Sequence, residues 1–235
     1  MDLNLANLAT WYVAFLLSVT AHEAAHALAA LKGGDPTAYL GGQVSLNPVP
    51  HIRRSPVGTV VVPLLSYLFG GWMIGWASAP YDPYWAERYP RRAAWMAAAG
   101  PAANLILATL AFLLMKLGLA AGVFVAPESI GYLSVVVSDG TFSIGVARLL
   151  SVLFTLNLIL FLFNLFPVPP LDGSSVITLL LPEDWVRKYR ALMQQPAFSL
   201  LGLVLAWRFF PTAWRVLFLQ AIKLVHPEGD WGYYP

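Results

Sequence analysis

The sequence of 235 residues contains no cysteine. That excludes a disulfide framework, a thiolate metal site and a cysteine nucleophile, so any metal must be held by His, Asp or Glu. Charge is scarce as well. Asp, Glu, Lys and Arg form 11% of the chain, where soluble domains carry roughly 25%. With 58% hydrophobic residues, one soluble core of this length cannot bury the apolar surface, and a bilayer removes the difficulty by acting as the solvent. The net charge is only +2, and the basic residues gather in a few loops. In a membrane protein that pattern reports orientation and not nucleic-acid binding. The start, Met1-Asp2-Leu3-Asn4, has no positive n-region, so the first apolar run reads as a retained helix and not as a cleaved signal peptide.

The apolar runs cover Leu8 to Leu31, Pro56 to Ala79, Ala93 to Val125 and Ile144 to Phe166. Each meets the length of about 20 residues that a helix needs to cross a hydrocarbon core. A short run, Ser175 to Leu181, follows. The last, Phe198 to Val225, contains Arg208, Pro211 and Arg215 and reads as a broken or tilted span, or as two short helices. The expected fold is an all-α polytopic membrane protein, a bundle of about 4–6 transmembrane helices with a re-entrant or membrane-inserted hairpin. One integral-membrane domain is expected over residues 1–226, with a short polar and aromatic tail over 227–235 and no large soluble module.

The hairpin follows from charge. The loop before Pro56 carries Arg53 and Arg54, and the loop after Ala79 carries Arg88, Arg91 and Arg92. Ordinary spans would put these basic loops on opposite sides. Placing both in the cytoplasm makes Pro56–Ala79 enter the membrane and return, with Gly70-Gly71 and Gly75 available for the turn. The loop Ala126 to Phe142, which has no Lys or Arg, then lies outside together with the N-terminus, and Arg187, Lys188 and Arg190 lie inside.

The segment His22-Glu23-Ala24-Ala25-His26 fits H-E-x-x-H inside the first apolar run. On a helix, positions four apart share a face, so both imidazoles reach one Zn²⁺ while Glu23 stands beside the first ligand, within reach of an activated water. The alternative is hydrogen bonding within a helix bundle. Three ionisable side chains in a membrane helix are costly, which favours a functional use. A catalytic zinc site needs a third protein ligand. Asp172 is the best candidate, in Asn164-Leu165-Phe166-Pro167-Val168-Pro169-Pro170-Leu171-Asp172-Gly173. Its prolines stiffen a non-helical segment able to aim a carboxylate. In isolation this would read as an interfacial turn with a solvated Asp; beside H-E-x-x-H the ligand reading is preferred.

Together these segments resemble the site-2 protease family of intramembrane zinc metalloproteases, peptidase family M50. That family pairs H-E-x-x-H with a later N-x-x-P-x-P-x-L-D-G, matched here at Asn164, Pro167, Pro169, Leu171, Asp172 and Gly173. Ala99-Gly100-Pro101-Ala102-Ala103-Asn104 is similar to the family's A-G-P-x-x-N. Gly75 to Pro80 is similar to its membrane-inserted strand. The resemblance covers nearly the whole chain and points to the compact branch without PDZ or CBS modules. It implies one Zn²⁺ held by His22, His26 and Asp172, Glu23 as general base, and Asn164 as a polar group that steadies substrate or oxyanion. It further implies a substrate with a transmembrane segment. Lys32 at the inner end of the first helix, with the loop charges, puts the active site towards the cytoplasmic side of a multi-pass protein expected in the plasma membrane. Asn104 is assigned to helix packing. His51 could approach the site from the basic loop, but such a histidine is more often a solvated or interfacial side chain, and His226 is given no role. Two other classes stand against this reading: a metal-dependent hydrolase of a non-peptide substrate, and a non-catalytic adaptor or transporter. A transporter would spread polar residues over several helices, and an adaptor has no use for Glu23.

Overall fold

The computed structural model describes residues 4–193 and 195–229. Among them the chain is all helical apart from loops. The elements are α1 (Leu5–Gly33), α2 (Thr37–Leu40), α3 (Pro48–Arg54), α4 (Val62–Gly70, entered through a π-helical turn at Val57–Val61), α5 (Pro83–Arg88), α6 (Pro90–Ala120), α7 (Thr141–Asn164), α8 (Gly173–Val176), α9 (Glu183–Met193) and α10 (Pro196–Val225). Four of the described helices, α1, α6, α7 and α10, are long and apolar enough to cross a membrane. The protein is therefore an integral membrane protein of the all-α polytopic class.

Helices α1, α6 and α7 form the centre. One apolar cluster joins Trp11, Phe15 and Val19 of α1 to Val152 and Leu156 of α7 and to Met73. A second joins Ala108, Ala111 and Met115 of α6 to Phe154 of α7 and to Trp214 and Phe218 of α10. The linker between α6 and α7 folds back as a cap: Val125 and Val137 exchange backbone hydrogen bonds, and the amides of Val135 and Val136 reach the Ser151 hydroxyl. His226 is buried against the Val135 carbonyl at the same end. Of the tail read from Pro227 to Pro235, residues 230–235 lie outside the described residues, as do residues 1–3.

The second apolar run is not a span. Helical structure over Val57–Gly70 is about 21 Å long at ~1.5 Å per residue, short of a hydrocarbon core of about 30 Å. Gly71 then reverses the chain at φ 74°, a left-handed conformation natural to glycine. An extended segment returns along the helix. Ile74 donates its amide to Ser66 Oγ at 3.0 Å and Trp76 its amide to the Gly58 carbonyl at 3.0 Å. Further along, Gln43 Nε2 donates to the Ser78 carbonyl at 2.9 Å. The run therefore enters and leaves at the same end, which is the hairpin expected from charge. Its exit is fixed by Asp35, whose carboxylate accepts from the amides of Thr37 and Asp82 and from the Thr37 hydroxyl. Burial pushes the Asp35 carboxyl up, but these hydrogen bonds outweigh it and hold it below the ordinary carboxylate range. The tie is thus intact at neutral pH and is lost only as pH falls through that lowered value.

Of the alternatives for the last run, the single span is found: it is one helix, α10, continuous through Pro211, and the break or pair of short helices is corrected. Gly202, Ala206, Trp214, Phe218 and Ile222 form a single buried stripe across the proline, while Arg208 and Arg215 both face outward. Proline removes one hydrogen bond, and packing along that stripe compensates. His51 is not solvated. It is 1% exposed in α3, with Nε2 against the Ser45 carbonyl at 3.0 Å, because α3 folds onto α1 instead of lying free at the surface.

Candidate metal centre

Helix α1 carries Ser18, His22, Glu23 and His26 along a buried face. The four-residue spacing of the histidines brings both Nε2 atoms to one point, 2.9 Å apart. The chain leaving α7 supplies the third group. After Asn164 it turns through the proline-rich loop, and Asp172 begins the short helix α8, with its backbone carbonyl accepting from the amides of Ser175 and Val176. Asp172 Oδ2 lies 3.1 Å from His22 Nε2 and 3.4 Å from His26 Nε2. His22, His26 and Asp172 are thus brought together as a cluster able to hold a metal ion. Glu23 is buried on the same turn but lies outside that cluster.

Helix α6 forms the opposite wall with three positions four residues apart. The Met96 carbonyl accepts from His26 Nδ1 at 2.7 Å. Asn104 Oδ1 accepts from His22 Nδ1 at 2.6 Å. Between them, Gly100 lies under both rings, and a Cβ there would stand 2.3 Å from His26 Nε2 and 2.5 Å from His22 Nε2. The sequence pattern assigned Asn104 to packing and placed Gly100 only in the A-G-P-x-x-N stretch of small residues. Their spacing, equal to that of His22 and His26, was the signal available.

The proton positions test whether a cation fits. A carbonyl only accepts, so His26 carries its proton on Nδ1, and the same follows for His22 facing an amide oxygen. With both rings neutral, as ligands to a metal must be, the Nε2 lone pairs point at each other and at the buried Asp172 Oδ2. Three acceptors converging without a donor repel one another unless a cation joins them. Zinc bonds of about 2.0–2.2 Å put the ligand atoms of a tetrahedral site about 3.3 Å apart, close to the spacings found. Two imidazoles and one carboxylate also suit zinc chemically. A cavity of about 230 Å³ opens beside Asp172, lined by Tyr81, Met96, Ala97, Ser174, Ser175 and Arg190 among others. Asn164 ends α7, with its amide nitrogen donating to the Leu160 carbonyl at 2.9 Å.

A membrane helix bundle with a metal-binding triad of this kind defines a class, and comparison with known proteins specifies it. The model of peptidase family M50 matches residues 10–208. The Bacillus subtilis (strain 168) protein named "Putative zinc metalloprotease YwhC" is 35% identical over 171 residues, covering 72% of this chain and 68% of that protein. No solved structure matches. The chain belongs to peptidase family M50, the family its sequence motifs resemble, and is a membrane-embedded metalloendopeptidase.

Proposed function

We propose that this protein hydrolyses peptide bonds of membrane-embedded substrates, within or beside the bilayer. The observation that carries the reading is the convergence of His22 Nε2, His26 Nε2 and Asp172 Oδ2 between helices long enough to span a membrane. These three residues would hold Zn²⁺. When bound, zinc supplies Lewis acidity, acidifying a water molecule towards pKa ~7 and polarising the scissile carbonyl. Glu23 takes the proton of the attacking water and passes it to the leaving amine nitrogen. Water enters through the cavity beside Asp172. The nucleophile is water, so no acyl-enzyme forms. Asn164 steadies the substrate or the developing oxyanion once substrate is bound.

A peptide bond inside a helix is shielded by its own hydrogen bonds, so the substrate must unwind. The segment returning from Gly71 offers it an edge. Its Ile74 and Trp76 amides are used inward, whereas those of Gly75 and Ala77 make no hydrogen bond among the described residues. Alternate amides of an extended chain point in opposite directions, which supports addition of a substrate strand on that side. The segment leads to Tyr81 on the cavity wall.

Metal analysis and cleavage assays on purified protein test the site. His22→Ala, His26→Ala and Asp172→Ala should each lose zinc and activity together. Asn164→Ala should keep zinc and slow turnover by about 10-fold or more, as expected for one group contacting the reacting carbonyl. Full zinc and activity in Asp172→Ala would remove the carboxylate from the centre, and unchanged kinetics in Asn164→Ala would leave that residue to helix packing.

The proposed orientation puts the N-terminus outside, the zinc site towards the cytoplasm, and the protein in the plasma membrane. Because the chain has no cysteine, single thiols at Ser55, Glu87 and Glu128 can report it. With a membrane-impermeant reagent and intact cells, only the Glu128 variant should label. Labelling of Glu87 with protection of Ser55 would put the two hairpin ends on opposite sides and reject the re-entrant reading.

A further inference from the structure

We infer that Asn104 is a positioning residue of the metal site: its side-chain oxygen fixes the proton of His22 on Nδ1, and Asn157 and Ser18 fix Asn104. The inference rests on the reading of His22 as a zinc ligand. Ser18, Asn104 and Asn157 come from α1, α6 and α7, and each is 0% exposed. Asn157 Nδ2 donates to the Leu153 carbonyl and to Ser18 Oγ, both at 2.8 Å. Asn157 must present its nitrogen on that side, because the Leu153 carbonyl can only accept. Its oxygen therefore faces Asn104 and receives Asn104 Nδ2 at 2.8 Å. The Ser18 carbonyl draws the same nitrogen, at 3.3 Å. Both neighbours of that nitrogen are acceptors, so the amide cannot flip, and Asn104 Oδ1 must face His22. His22 then donates from Nδ1 and leaves the Nε2 lone pair for the metal. Two backbone carbonyls thus decide, through two amides, which nitrogen of His22 is free.

Packing alone would not need this polarity. Three buried polar side chains joined in a saturated chain are costly to assemble and of value only where orientation matters. Helix packing depends on the Nδ2 end of Asn104, which bridges to Ser18 and Asn157; ligand positioning depends on its Oδ1 end. The two ends can be separated by substitution.

The experiment is zinc affinity of the full-length protein in detergent, measured by competition with a chelator, on four forms. Asn104→Leu removes the acceptor and should weaken zinc binding by about 10–100-fold, the usual effect of losing an outer partner of a ligating histidine. Asn104→Asp keeps an acceptor for His22 while losing the bridging donors, and should stay within about threefold of wild type. An affinity for Asn104→Leu equal to wild type, or equal losses in both variants, overturns the inference. His22→Ala separates the two readings: if it binds zinc like wild type, the metal-ligand assignment itself has failed. Should Asn104→Leu not fold, ¹⁵N-histidine NMR of the zinc-free wild type decides. An Nδ1-protonated His22 supports the inference and an Nε2-protonated His22 overturns it.

Discussion

Glu23→Gln is expected to bind zinc as wild type does and to cleave its substrate about 10²–10⁴-fold more slowly, the range that a positioned general base contributes. Glutamine has the size and shape of glutamate but cannot accept the proton of an attacking water. Glu23 is buried on α1, beside His22, and stands apart from the three converging ligand atoms. Removing its charge therefore removes the base and leaves the ligands in place. This separation distinguishes Glu23 from Asp172, whose loss should empty the site. The measurement is metal content per protein and the cleavage rate of a substrate carrying a transmembrane segment, both in one detergent preparation. A Glu23→Gln protein that still cleaves at a tenth of the wild-type rate or better would deny Glu23 the role of base. One that has lost its zinc would make Glu23 part of the metal site.

The parts of this site that were legible in the sequence are those with a fixed periodicity. His22 and His26 are four apart in an apolar run, so helix geometry alone puts them on one face. The four long helices were legible from hydropathy, and the hairpin from the charge on its two flanks. Asp172 could be picked out only by combining the stiff proline segment before it with the H-E-x-x-H that lacks a third ligand. What could not be read was the identity of partners across helices. An asparagine among alanines is compatible with packing against any neighbour, and only the antiparallel register of α1 and α6 brings Asn104 to His22. His51 sits in a basic, proline-flanked loop, and nothing in that pattern says that α3 folds back onto α1. In α10, Arg208 and Pro211 resemble an interruption. They become ordinary once both arginines are seen to share the outward face and the buried stripe runs past the proline.

Gly100→Ala should abolish the metal centre although it adds one methyl group at a position that is neither ligand nor catalyst. The added Cβ would lie 2.3 Å from His26 Nε2, 2.5 Å from His26 Cε1 and 2.5 Å from His22 Nε2, closer than the 3.0 Å that real Cβ contacts keep. Neither ring can simply rotate away. Each is tied through Nδ1 to the helix that would carry the methyl, His22 to Asn104 and His26 to the Met96 carbonyl. Relief must come from α6 moving off α1 or from both ligands shifting. A displacement near 1 Å is enough to cost about 10²-fold in rate, so activity should fall at least that far and zinc affinity with it. Gly145→Ala is the control. It also lies within a long helix, but a Cβ there meets nothing within 4 Å, so zinc and activity should be unchanged. Zinc bound by Gly100→Ala at wild-type affinity would mean that the two histidines do not converge beneath α6, and the arrangement of α1 against α6 would have to be redrawn.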